Sequence, residues 1–347
     1  MPPELLLLLA DHLEFYRDIL TLCQVHDDLH DTLIGYLYRR NAKDHQSNAL
    51  LWAAMYDRLD ITETALEHGA DINTLAYIDY VNPSVLQQAP FSPSMRSRLV
   101  AEYDMKLDED PPYSGPYFLS LIHYKTSPLA LAASTGHLWL VLFLLENGAF
   151  VDQAETNDLT PLMHAAEGGN TTVVEALLQH GANVHAQWDV YETALDLAAA
   201  GGHTRIIEAL LRHGADVNGT FALVKAATRG HLDIVQMLLD RGADITVTSP
   251  AGKTAFLVAL EGDHFDIMVE LLQRGEDIES RVLTGITPLL YSLHIGRSRT
   301  FKLLLELGAD IDATDENGHT AMWLASTYAE SELVDLLVAR RLESESY

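Results

Sequence analysis

The sequence holds a single cysteine, Cys23, so no disulfide can close within the chain and a disulfide-stapled secreted scaffold is excluded. Basic residues are scarce: 22 lysines and arginines face 50 aspartates and glutamates, for a formal charge of −28. A field of that sign repels phosphate backbones and anionic lipid surfaces, so it argues against nucleic-acid and membrane partners. It favours a protein partner with a basic and apolar surface. No apolar run approaches the roughly 18 residues that a membrane-spanning helix needs. The leucine run Leu5–Leu9 follows Glu4 rather than a basic stretch and is cut short by Asp11, unlike a signal peptide. The chain is expected to be a cytoplasmic monomer, with the nucleus also open.

Catalytic signatures are missing as well. There is no His-Glu-x-x-His, no Cys/His cluster at zinc spacing and no Gly-x-Ser-x-Gly elbow. Gly252-Lys253-Thr254 imitates the end of a phosphate loop, but Val247 stands where the first glycine of that motif belongs. No metal and no cofactor are expected.

What is present is a beat. Gly148, Gly181 and Gly214 are spaced 33 residues apart, as are Gly242, Gly275 and Gly308. Each stands in a segment such as Gln179-His180-Gly181-Ala182-Asn183 or Asp240-Arg241-Gly242-Ala243-Asp244. That period marks a stack of short units, each of which buries its apolar face only against its neighbours. In the unit around Gly181, Thr160 is placed to cap a helix with Pro161 at its first position. Gly168-Gly169-Asn170 breaks that helix, Val173 to Leu178 continue at helical spacing, and Gly181 supplies a left-handed cap.

This unit, with its Thr-Pro-Leu…Ala-Ala and Leu-Leu…Gly-Ala-Asp signatures, resembles the ankyrin repeat. The resemblance covers about three quarters of the chain, in eight copies beginning near Asn48, Ser127, Thr160, Thr193, Phe221, Thr254, Thr287 and Thr320. It implies an all-α ankyrin-repeat solenoid that binds proteins along a concave face. The expected organisation is a head at 1–45, a first repeat at 46–73, an insertion at 74–125 and seven further repeats at 126–347.

The irregularities are as informative as the beat. From Gly214 to Gly242 is only 28 residues, so the fifth copy has lost most of its hairpin finger. From Gly69 to Gly148 is 79 residues, which locates the insertion. The insertion carries six of the chain's twelve prolines, with Tyr77, Tyr80, Phe91, Tyr103, Tyr113, Tyr117, Phe118 and Tyr124. Prolines oppose long regular structure and so many aromatics oppose a free linker, so an ordered flap is expected. Trp139 and Leu142, apolar where the repeat commonly carries charge, call for a cover.

Residues 1–45 do not fit the repeat. Their spacing suggests two or three short amphipathic helices. The Pro-x-Glu-Leu start, Leu13 near the end of the first helix and Asp18-Ile19-Leu20 opening the second resemble an F-box, a segment that fungal proteins often join to ankyrin repeats. The resemblance implies docking to a Skp-type adaptor of a cullin-type ubiquitin ligase through Pro3, Leu5, Leu9, Leu13, Ile19 and Leu20. The alternative is a hydrophobic cap on the first repeat.

Seven of the sixteen histidines follow the repeat. His137, His203, His231 and His264 open second helices, while His68, His180 and His213 precede capping glycines. Trp188 and Tyr191 stand in a finger where Asp and Gly are usual, and either anchor a partner or fill the gap left by the missing finger. The repeat register places further groove positions two residues beyond each Ala-Ala pair. The candidate partner-binding set is therefore Trp188, Tyr191, Glu192, His164, Glu167, Arg229, Glu261, His294 and Tyr124. Three functions remain: a ubiquitin-ligase substrate receptor, a stand-alone scaffold or inhibitor, and, with no motif in its favour, an enzyme using the groove beneath the flap.

Overall fold

The computed structural model describes residues 48–55, 57–75, 125–155, 158–188, 191–281, 285–328 and 330–344. The F-box-like head and almost all of the insertion, including Tyr124, therefore lie outside the described residues.

The described residues form sixteen helices and no strand, with only three isolated bridges. The helices pair as the repeat predicts. The pairs are α1 (Asn48–Met55) with α2 (Leu59–Glu67), α3 (Pro128–Thr135) with α4 (Leu138–Glu146), and α5 (Pro161–Glu167) with α6 (Thr171–Gln179). Next come α7 (Ala194–Gly201) with α8 (Thr204–Arg212), α9 (Ala222–Arg229) with α10 (Leu232–Asp240), and α11 (Ala255–Glu261) with α12 (Phe265–Gln273). The last are α13 (Pro288–His294) with α14 (Ser298–Glu306), and α15 (Ala321–Thr327) with α16 (Ser331–Ser344). The chain divides into two compact units, 1–183 and 184–347. Three pairs stack in the first and five in the second.

Local chemistry sets the boundaries. Several first helices open on a hydroxyl: Thr160 accepts from the Met163 amide at 3.3 Å, and Ser127 and Thr254 act likewise. Pro128, Pro161 and Pro288 fill the first turn, where a missing amide costs nothing. The second helix closes on glycine in the left-handed region, as at Gly181 with φ +87°, which turns the chain towards the next finger.

The core runs through the pairs. Second helices bury an aliphatic trio, such as Val173, Val174 and Leu177 on α6 or Ile206, Ile207 and Leu210 on α8. First helices bury paired alanines, such as Ala165-Ala166 and Ala198-Ala199. The alanines allow close helix approach, and each large aliphatic contributes about 1.5–3 kcal/mol.

Neighbouring pairs are stitched by a recurrent joint. His231 Nε2 donates to the Ala200 carbonyl at 3.3 Å, and His264 Nε2 to Thr228 at 3.3 Å. Each ring sits against a glycine of the preceding repeat: a Cβ added at Gly202 or Gly230 would come within 2.8 Å of it. In the first unit His137 reaches the Met55 carbonyl at 3.1 Å, and Asn170 takes the same role towards Ala133 and Ser134. One joint is built differently. Asp263, at φ +56°, replaces the glycine and Arg297 replaces the histidine, with Arg297 Nη1 at 3.1 Å and Thr300 Oγ1 at 2.6 Å from the Asp263 carboxylate.

The shortened fifth copy is also closed by a carboxylate. Asp196 is fully buried and completes a capping box with Thr193, whose amide and hydroxyl donate at 2.7 and 2.9 Å. Its other oxygen accepts the Phe221 amide at 2.6 Å, tying the next helix directly to this one where a finger is missing.

Candidate functional site

One register position organises the inner face. Four residues after the N-cap, repeats two, four, six and eight carry Leu131, Leu197, Val258 and Leu324. Repeats three, five and seven instead carry His164, Lys225 and Tyr291, and each is met by a glutamate.

In the first unit, His164 Nε2 lies 3.1 Å from Glu155 Oε1, with 7% and 1% of the two side chains exposed. Neither atom has a well-aligned hydrogen bond among the described residues. The pair is sealed in the protein, so His164 is a packing group and not a groove contact. Glu167 ends α5, half-buried.

In the second unit the corresponding pairs are partly open to solvent. Lys225 Nζ meets Glu192 Oε1 at 2.5 Å. Glu261 takes Lys253 Nζ on both oxygens, at 2.6 and 2.8 Å, and also the Tyr291 hydroxyl. Partial burial and that carboxylate push the Tyr291 phenol up to about 12. Lys253, the residue that gives the false phosphate-loop signature, is thus an ion-pair partner within its own repeat. Burial likewise raises the Asp196 carboxyl to about 6, against the pull of the Thr193 and Phe221 hydrogen bonds.

The finger before α7 places Trp188 and Glu192 opposite each other, paired through both backbone groups at 2.7 and 2.9 Å. Tyr191, at φ +71°, sits 66% exposed, while Trp188 is half-buried. A tyrosine at this φ costs about 1–2 kcal/mol of backbone strain. At the far end of the unit the Tyr328 hydroxyl lies 2.8 Å from His294 Nδ1, with the rings edge to face. Arg229, at the end of α9, is exposed and has no carboxylate partner among the described residues.

The second unit thus brings Glu192 together with Lys225 and Glu261 with Lys253 and Tyr291. Two of the three candidate glutamates, Glu192 and Glu261, are therefore already bonded within the chain. Sequence reasoning missed Glu155, Asp196, Lys225, Lys253 and Tyr291. The signal for Lys225 and Tyr291 was present in the repeat alignment, as polar residues where alternate copies keep an aliphatic one. The seven repeat histidines belong to joints and helix ends: His68, His180 and His213 bond through Nδ1 to carbonyls four residues back, at 2.8–2.9 Å. Among the described residues no group of three or more His, Cys, Asp or Glu side chains is placed to hold a metal ion. None of the described helices is long and apolar enough to cross a membrane. Trp139 stands 77% exposed at the start of α4, and its expected cover lies outside the described residues.

Helix pairs that recur along the chain, joined to neighbours of the same unit by contacts of the His231–Ala200 kind, define a stacked-repeat protein. Models of the ankyrin repeat match residues 99–188, 186–249, 218–282 and 255–345, and a further single-repeat model matches 45–74. The chain belongs to the ankyrin-repeat family. Among solved structures it is similar to the human ASB11 ankyrin repeat domain, at 26% identity and a TM-score of 0.55, over 62% of this chain and 98% of that one. No curated protein matches it. Ankyrin repeats bind protein partners, and that is the function class these matches support.

Proposed function

We propose that the chain is a non-enzymatic recognition protein that serves as a substrate receptor of a cullin-type ubiquitin ligase. In this reading the repeats hold the target, residues 1–45 hold a Skp-type adaptor and the insertion 74–125 borders the target site. Recognition is supported above all by the inner face of the second unit, where Tyr191 and Tyr328 are exposed at 66% and 46% beside fixed polar groups. Exposed aromatic rings of this kind add contact area at small entropic cost. The adaptor role is supported by the F-box-like pattern from Pro3 to Leu20. The acidic excess attracts target proteins of positive overall charge, and the lone Cys23 suits a reducing compartment such as the cytoplasm or nucleus.

Co-purification of the full chain with a Skp-type adaptor tests the ligase role. Capture that is lost when Leu5, Leu9 and Leu13 become serine is the expected outcome, and no capture by the intact chain sinks it. A second reading, a stand-alone scaffold or inhibitor capped by 1–45, is separated by deleting those residues. An insoluble remainder supports a cap, whereas a folded remainder that still binds its target supports a separate module.

A further inference from the structure

Two ion pairs on the inner face of the second unit turn their basic members outward. In both the carboxylate is the deeper member. Lys225 is 35% exposed over Glu192 at 15%, and Lys253 is 38% exposed over Glu261 at 27%. Glu261 is closed further by the Tyr291 hydroxyl. Arg229 lies four residues after Lys225, on the same side of α9, and carries a guanidinium that no described carboxylate answers. Along α9 and the foot of α11, then, three cations face outward, two of them over a more deeply placed carboxylate.

The consequence for a partner is asymmetric. A cationic side chain approaching Glu192 or Glu261 must displace a lysine already bonded at 2.5 or 2.6 Å, and exchanges one ion pair for another. An anionic side chain meets an unanswered guanidinium and two ammonium groups with donors to spare, and a guanidinium binds carboxylate bidentately. We infer that this face docks an extended acidic segment of the target, with carboxylates about three residues apart. The spacing follows from geometry. Packed neighbouring helices lie about 8–10 Å apart, and three residues of polyproline-II chain span about 9 Å and return the side chain to the same side, which carries one carboxylate to Arg229 and the next to Lys253. Tyr191, in the finger of the fourth repeat, offers aromatic contact alongside. A target of positive overall charge is still attracted at long range, and the acidic stretch is the part that lies on this face.

The inference rests on the recognition reading but not on the adaptor. The test is selection of a displayed library of random dodecapeptides on the full chain, followed by sequencing and titration of synthetic winners. The expected result is enrichment of Asp or Glu pairs spaced three residues apart. Arg229→Gln is expected to weaken the winners about tenfold, with partial recovery in Arg229→Lys and unchanged helix content. Lys225→Gln combined with Glu192→Gln, which removes one ion pair as a unit, is expected to weaken them several-fold. Enrichment of basic or uncharged peptides overturns the acidic assignment alone, as does an Arg229→Gln affinity within about twofold of the parent. If no peptide is enriched on any form of the chain, the recognition reading fails with it.

Discussion

The first unit and the second make the same substitution at the same repeat position and obtain different things from it. His164 in the third repeat and Lys225 in the fifth both replace an aliphatic residue, and both are answered by a glutamate, Glu155 from the finger before the same helix and Glu192 from the finger of the preceding repeat. Around His164 and Glu155 the protein closes, and the pair becomes a polar island in a core. Around Lys225 and Glu192 it stays open, and the pair becomes surface that a partner can touch. The residue type does not decide between packing and recognition. Access of water does, because it sets both the cost of breaking a pair and the freedom to exchange it.

The largest effect should come from the closed pair. Glu155→Leu leaves the buried imidazole without its neighbour and should cost about 3 kcal/mol or more, whereas adding His164→Leu should restore most of that loss. Urea denaturation of the two single variants and the double variant gives the coupling. Additive losses would show that Glu155 and His164 are not a unit.

Next is a carboxylate buried in the second unit. Asp196 ionises near 6 when folded and near 3.8 when unfolded, so the folded state prefers the protonated acid. Its stabilising contribution is complete below pH 4 and is lost as pH rises through 6, by about 3 kcal/mol at about 1.4 kcal/mol per unit. Relative to Asp196→Asn, the parent should therefore lose stability across pH 4 to 6.5, measured by urea midpoints at each pH. A flat difference would mean that the Thr193 and Phe221 hydrogen bonds hold the anion as easily as water does.

The smallest effect belongs to the open pairs. Lys253→Met should change stability by less than about 1 kcal/mol, because exposed ion pairs are weak and screened. A loss approaching that of Glu155→Leu would break the contrast between the two units.

Much of the architecture was legible in the chain before any coordinates. Glycines at the required positive φ, hydroxyl caps such as Thr160 and prolines in the first turn each carry a local physical demand, and the 33-residue beat repeats those demands together. The site was less legible, because its meaning lies in contacts between copies. Asp196 reads as half of a capping box from Thr193-x-x-Asp196, but its bond to Phe221 exists only because a finger is missing. Glu155 looks like an ordinary loop acid, and nothing local announces that it is buried. Glu192 and Glu261 were read as anchors for a basic partner, which required knowing that Lys225, Lys253 and Tyr291 had not already taken them.

The joint between the sixth and seventh repeats has a consequence for how such a chain can be edited. Where glycine meets histidine, as at Gly202 with His231 and Gly230 with His264, one repeat offers its neighbour the same socket as the next. Asp263 and Arg297 form a keyed socket. A histidine in place of Arg297 would meet a side chain where the other joints have none, and a glycine in place of Asp263 would leave Arg297 and Thr300 without their acceptor. The seventh repeat therefore cannot be transplanted, duplicated or deleted alone without carrying its predecessor, so the order of the copies is written into the joints as well as into the groove.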